Sequence, residues 1–148
     1  MTAAAGELHW VQQPGSTPGG ILRPSTIEEA AHALAANPEL RPVAGGTDLL
    51  LEMARDRQNG RIELLDLTGI GGFDEFRNTS QGLIIGAGVT HADVVASSEL
   101  VDDGLHALRQ ACLEIGSPQL RNRATLVGNL VTASPANDTI SALIALDA

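Results

Sequence analysis

Apolar residues recur at helical spacing at Ile27, Ala30, Ala31 and Leu34, and the run stops at Asn37-Pro38, which predicts a helix after Ile21-Leu22. Ser25-Thr26-Ile27-Glu28 has the form of a capping box, the serine serving the Glu28 amide and the glutamate reaching back. A short extended piece, Arg41 to Ala44, leads through Gly45-Gly46-Thr47-Asp48 into a helical stretch from Leu49 to Asp56, ended by Asn59-Gly60. Arg61 to Leu67 reads as the next strand. Near the start, the apolar piece at His9-Trp10-Val11 predicts a short strand, and the breaker-rich run from Pro14 to Gly20 predicts a loop. The order β-α-β-α-β favours a small parallel sheet.

Thr68-Gly69-Ile70-Gly71-Gly72 marks a boundary, dividing the chain into subdomains 1–68 and 69–148. Beyond it, Gly82 to Ala87 reads as a strand, and Thr90-His91-Ala92-Asp93 caps a short helix. A second helix carries Leu105, Leu108, Cys112 and Ile115 on one face and is stopped by Gly116-Ser117-Pro118. Thr125 to Thr132 contains a Gly128-Asn129 turn inside apolar residues. Ser134-Pro135 then opens a last helix that buries Ile140, Leu143 and Ile144.

Composition narrows the chemistry. The chain has 148 residues, nine basic against eighteen acidic, for a net charge of -9, and every basic residue is arginine. Acid spread along the chain argues against nucleic-acid binding, which needs clustered positive charge. A single cysteine, Cys112, excludes an internal disulfide and a cysteine-ligated iron–sulfur cluster, and its place on an apolar stripe marks it as a small buried hydrophobe. His9, His32, His91 and His106 have no metal-ligand spacing, and no Gly-x-Ser-x-Gly elbow is present, so neither a metal site nor a catalytic residue is expected. No apolar run approaches the length of a membrane span, and Met1 to Val11 lacks the regions of a secretory signal. A soluble, cytoplasmic protein is the expectation.

The strongest local signal is Val43-Ala44-Gly45-Gly46-Thr47-Asp48. Two glycines between a strand and a helix allow a sharp turn whose amides, with the helix dipole, make an anion site suited to a phosphate. The loop lacks the lysine of a Walker motif and does not complete Gly-x-Gly-x-x-Gly; taken alone it fits a structural turn as well. Thr125-Leu126-Val127-Gly128-Asn129 has the same character, with a tight turn or bulge between strands as its plainer reading. Asp138 is suited either to a helix start or to accepting hydrogen bonds from a polyol. Arg121-Asn122-Arg123 is the one basic cluster, either solvated, paired or open to an acidic partner.

These segments in register resemble those of a known family. Arg23 to Ala30, Ala44-Gly45-Gly46-Thr47-Asp48-Leu49, Ile85 to Thr90, Gln119 to Thr125, and Gly128 to Asp138 are together similar to the FAD-binding domain in the medium subunit of the molybdenum hydroxylases. That is the xanthine dehydrogenase and aerobic carbon monoxide dehydrogenase group. The resemblance implies an α+β, PCMH-type FAD-binding fold: a small β-α-β-α-β parallel subdomain followed by a second α/β subdomain, incomplete because the family's FAD domain continues beyond the equivalent of Ala148. It implies FAD as cofactor, with Val43, Ala44, Gly45, Gly46, Thr47, Asp48, Leu49 and Leu50 around the diphosphate. Thr125, Gly128, Asn129, Thr132 and Ser134 would close over the phosphates and ribityl chain, and Asp138 would contact the ribityl region. It implies an electron-transfer role, inactive alone, beside an iron–sulfur small subunit and a molybdopterin large subunit, passing electrons through flavin to an acceptor. Val127 stands where the family usually has glycine. A β-branched residue resists positive φ, so a looser second loop is expected. A rival of another class is a truncated or degenerate relative that does not hold FAD and acts as an interaction module. A stand-alone flavin oxidase of the vanillyl-alcohol type is disfavoured, since it would need a substrate domain.

Overall fold

The computed structural model describes residues 16–56, 60–98 and 104–148. The first half is a three-stranded sheet with two helices: β1 (Thr17–Leu22), α1 (Ile27–Ala36), β2 (Arg41–Val43), α2 (Thr47–Arg55) and β3 (Arg61–Asp66). The strand order is β1-β3-β2 and both pairings are parallel, as the β-α-β-α-β order predicts. The central strand β3 sets Leu65 opposite both Leu22 and Pro42. Consecutive residues Leu64 and Leu65 are both buried, so β3 is covered on its two faces, as parallel strands require. Leu65 packs with Ala30 of α1 and Ile70 in one apolar cluster, joined at its edge by Phe73.

The described residues of the second half hold a hairpin, β4 (Phe76–Thr79) and β5 (Gly82–Ile85), and five helices: α3 (His91–Ala96), α4 (His106–Glu114), α5 (Pro118–Arg121), α6 (Leu126–Thr132) and α7 (Asp138–Ala145). Val89, Val94, Leu108, Cys112 and Leu126 form its core, with Leu143 and Leu146 packed against them. Phe73 ties the halves together. Its ring joins the first cluster, while its carbonyl accepts from the Gly88 amide at 2.6 Å in the second half.

Several expectations are corrected. The strand expected at His9-Trp10-Val11 lies outside the described residues. The loop expected over Pro14 to Gly20 is instead mostly β1. Pro18 is tolerated because β1 is an edge strand with a register shift between Pro18 and Gly20, and Gly19 and Gly20 lie where the Glu63 side chain crosses the strand. The capping box of α1 is shifted by one residue. Thr26 is the N-cap and accepts from the Glu29 amide at 3.2 Å, while the Glu29 carboxylate reaches back to the Ser25 amide at 2.7 Å. β4 has one apolar residue in four and gives no periodic signal.

The segment 125–132 is a helix, α6, rather than two strands around a turn, because Thr125 caps it. Ser134-Pro135 does not open the last helix. α6 ends at Ala133, which has φ +49°, and Asn137 is the N-cap of α7. The face that α7 buries is centred on Thr139, fully buried, while Ile144 is 73% exposed.

His91, the first residue of α3, is fully buried with Nδ1 3.4 Å from Cys112 Sγ, and its Nε2 has no hydrogen-bond partner. Burial pushes the Cys112 thiol up to about 12 and lowers the His91 pKa below its ordinary 6.5. Below pH 6.5 the unfolded chain therefore takes a proton that the folded chain refuses. Stability is full above this value and falls as the pH drops toward the lowered folded pKa. The carboxylates held low by hydrogen bonds, Glu29 and Asp66, lose their contributions only below their ordinary 4.5 and 3.8. Urea unfolding of the protein is expected to show stability declining from pH 6.5 to 4.5, and His91→Leu is expected to flatten that part of the profile.

Candidate functional site

The carboxyl ends of β2 and β3 open onto a cleft of ≈ 120 Å³ between the two halves. Ala44 and Gly45 follow β2, Leu67 and Thr68 follow β3, and Phe73, Asp74, Gly88 and Thr90 face them from the second half. Asn122, Arg123 and Thr125 complete the wall. In open α/β sheets, ligands bind in this position, beyond the carboxyl ends of the strands.

Gly45 is what allows the walls to meet. A Cβ there would lie 2.1 Å from the Arg123 carbonyl oxygen and 3.0 Å from the Ala124 Cα. Both are backbone atoms, which no change of rotamer can move. Gly46 follows with φ +75° and is the N-cap of α2, flanked by Val43 and Leu50 side chains. It supplies no side-chain cap. The first helical bond runs from the Leu50 amide to the Gly46 carbonyl at 3.0 Å, so the amides of Thr47, Asp48 and Leu49 have no helical acceptor. α4 and α7 also lack a side-chain cap, whereas α1, α3, α5 and α6 begin with the caps Thr26, Thr90, Ser117 and Thr125.

The second glycine segment is held by backbone. Thr90 and Thr125 form an isolated antiparallel bridge, the Leu126 amide donates to Val89 O at 3.0 Å, and the His91 amide donates to Ala124 O at 3.1 Å. Thr125 is buried, and its Oγ1 accepts from the Gly128 amide at 3.0 Å. A side chain at 128 would strike that hydroxyl, with Cβ at 2.7 Å, so Gly128 serves a helix start and not a turn. Val127 sits in the first turn of α6. The described non-glycine residues with positive φ are Ala133 and Asp147, and the strain expected at Val127 is absent.

Asn129 bridges α6 to α7: its carbonyl accepts from Asn137 Nδ2 at 2.5 Å and its Oδ1 accepts from the Thr139 hydroxyl. Thr132 Oγ1 donates to Gly128 O at 2.9 Å and reaches Asp48 Oδ2 at 3.3 Å. Ser134 Oγ accepts from the Ala136 amide, and Asp138 is exposed at the start of α7. Ala44, Gly45 and Thr125 thus line the cleft, whereas Val43, Gly46, Thr47, Asp48, Leu49, Leu50, Gly128, Asn129, Thr132, Ser134 and Asp138 are not among its lining residues.

Sequence reasoning missed Thr68 and Asp74, which flank the glycines taken only as a boundary. Their signal is position, just beyond the end of a central parallel strand. Asp66 fixes Thr68, accepting from its hydroxyl at 2.6 Å and its amide at 3.0 Å, while Arg23 holds the other oxygen at 3.1 Å. The Thr68 hydroxyl is the main cause of an Asp66 carboxyl held below its ordinary range. The arginine cluster divides. Arg121 Nη1 donates to the carbonyls of Leu113, Ile115 and Gly116, closing the end of α4, whereas Arg123 lines the cleft.

A parallel sheet, a glycine turn leading to an uncapped helix, and a cleft closed by a second glycine segment define an anion-binding domain of the dinucleotide-holding class. Residues 16–148 match the family described as FAD binding domain in molybdopterin dehydrogenase, and the chain belongs to that family. The fold is accordingly the α+β, PCMH-type FAD-binding fold, and its cofactor is FAD. The chain is 35% identical over 130 residues to the nicotinate dehydrogenase FAD-subunit of Eubacterium barkeri, covering 86% of this chain and 43% of that protein. It is 30% identical over 128 residues to the xanthine dehydrogenase FAD-binding subunit of Escherichia coli O157:H7, covering 85% and 43%. Among solved structures, CO dehydrogenase from Oligotropha carboxidovorans superposes with a TM-score of 0.76 at 32% identity, over 86% of this chain and 43% of that one. The chain thus spans less than half the length of these relatives. Among the described residues, no helix is long and apolar enough to cross a membrane.

The residues fit the phosphate part of FAD. Three first-turn amides without helical acceptors follow directly on the cleft wall, and Gly46 contributes no side chain to fill the space before them. The cleft itself is smaller than the roughly 300–1,000 Å³ typical of a site that encloses a whole ligand, so the chemistry it fits is local.

Gly45→Ala is expected to destabilise the protein by about 1–3 kcal/mol, the usual range for overpacking. A methyl group at Gly71 would meet no atom within 4 Å, and φ is not positive there, so Gly71→Ala is expected to stay within about 0.5 kcal/mol. Urea denaturation of both variants checks the contrast.

Proposed function

We propose that this chain is the FAD-binding part of an electron-transfer component in a molybdenum-containing hydroxylase or dehydrogenase. One observation carries the reading: the first glycine turn packs at Gly45 against the main chain of Arg123 and Ala124, the two residues that lead directly into the second glycine segment. Val43 to Leu50 would hold the diphosphate, through the amides of Thr47, Asp48 and Leu49 and the α2 dipole. Thr125, Gly128, Asn129 and Thr132 would close the opposite side. Asn129 keeps its side-chain amide for this purpose, since only its oxygens are committed to α7. Ser134 and Asp138 would serve the ribityl hydroxyls, one as donor and the other as acceptor.

The division into 1–68 and 69–148 belongs to the same reading, supported by two apolar clusters, of which the first reaches across the boundary to Ile70 and Phe73. Bound FAD supplies the redox chemistry. This chain's residues bind it, orient it and set the charge around its phosphates, with no acid–base pair required of them. An iron–sulfur subunit would deliver the electrons, a molybdopterin subunit would oxidise the substrate, and a cytoplasmic location would suit both. The support is the named relatives, which are a FAD-subunit and a FAD-binding subunit of dehydrogenases.

The test is direct. The purified 148-residue chain is expected to bind FAD in a one-to-one ratio, retaining flavin absorbance through gel filtration. At a free concentration 100 times Kd, FAD is expected to stabilise it by about 2.7 kcal/mol. A colourless protein whose melting temperature FAD leaves unchanged would overturn this reading in favour of the interaction module.

A further inference from the structure

The first turn of α2 contains a feature that works against anion binding. Asp48 is its second residue, and a carboxylate there is drawn to the same free amides that a phosphate would use. Such a side chain both competes for the donors and repels the ligand. Its Oδ2, however, lies 3.3 Å from the hydroxyl of Thr132, a residue 84 positions away on the last turn of α6. The Thr132 side chain is itself fixed by a 2.9 Å bond to Gly128 O, the helical i−4 arrangement. One hydroxyl hydrogen is shared between these two acceptors.

We propose that Asp48 and Thr132 form a positioning pair in which the Thr132 hydroxyl draws the Asp48 carboxylate aside, leaving the α2 amides open to a diphosphate. This rests on the FAD reading above. The Asp48 carboxylate need not touch the ligand. The hydroxyl supplies a partner for the charge, and α6 supplies a fixed place for the hydroxyl. The same contact joins the helix that follows the first glycine segment to the helix that contains the second, so ligand access and closure of the two segments are set by one pair.

The signs of the expected effects separate this from a merely structural contact. The probe is FAD, and the readout is its dissociation constant with the 148-residue chain, alongside the melting temperature of each ligand-free variant. Thr132→Val keeps the shape and removes the hydroxyl, so it is expected to weaken FAD binding at least about threefold, within the range of coupling between contacting residues. Thr132→Ser is expected to restore the original affinity. Asp48→Asn keeps a hydrogen-bonding group without the charge, and it is expected to tighten binding. In the Asp48→Asn background, Thr132→Val is expected to change the affinity by less than about twofold, because no charge is left to be drawn aside. Thr132 is exposed, so its variants are expected to melt close to the parent protein. Weakening by Asp48→Asn, an equal effect of Thr132→Val in both backgrounds, or failure of Thr132→Ser to rescue would each overturn the pair while leaving FAD binding intact. A parent chain that binds no FAD would overturn the FAD reading and the pair with it.

Discussion

The structure depends on a place where two stretches of main chain touch. The turn after β2 runs so close to the Arg123–Ala124 segment that a single methyl at Gly45 would overlap a carbonyl oxygen. Around this contact the two halves are arranged. The carboxyl ends of β2 and β3 lie on one side, the bridge between Thr90 and Thr125 on the other, and the cleft between them. Were the turn wider, the start of α2 and the start of α6 would no longer belong to one site. Glycine here is required by proximity, whereas at Gly46 it is required by the left-handed backbone.

The helix starts show how polar groups are distributed around that contact. Four helices close their first turns with hydroxyls, and α6 does so with Thr125, whose hydroxyl sequence reasoning had reserved for a ligand. α2, α4 and α7 have no such cap, and the start of α2 directly follows the cleft residue Gly45. A capping side chain at Gly46 would occupy the donors that an anion needs. A net charge of -9 is no obstacle to this, since amides in the first turn act over distances shorter than the roughly 8 Å Debye length at physiological salt. In the second core His91 and Cys112 pack together, and burial lowers the His91 pKa, disfavouring the charged imidazolium.

Much of this was legible in the sequence because local and tertiary demands agree. The parallel β-α-β-α-β order followed from alternating apolar periods, and the Thr90 cap from a hydroxyl three residues before an aspartate. The glycine turn at 45–46 was visible as chemistry, though its cause, an approach to a carbonyl far along the chain, was not. Where the reading failed, tertiary contacts overrode local preference. Pro18-Gly19-Gly20 looks like a loop, but an edge strand beside Glu63 accepts it. Leu126 to Thr132 is rich in β-branched residues and looks extended, yet the Thr125 hydroxyl and the packing of Leu126 into the core make it helical. Thr68, Asp74 and Arg123 carry no motif, and only the topology of the sheet places them on the cleft.

If segments 43–50 and 125–132 together hold the diphosphate of FAD, their amides respond to the ligand first. Amide chemical shifts of the isotope-labelled chain, followed by NMR during titration with FAD, test this residue by residue. The largest shifts are expected at the amides of Gly46, Thr47, Asp48 and Leu49 and at the start of α6, with Gly71 and the β4–β5 hairpin little changed. Shifts confined to the hairpin or to the far end of α1, with the amides at 46–49 unmoved, would contradict a diphosphate held between the two glycine segments.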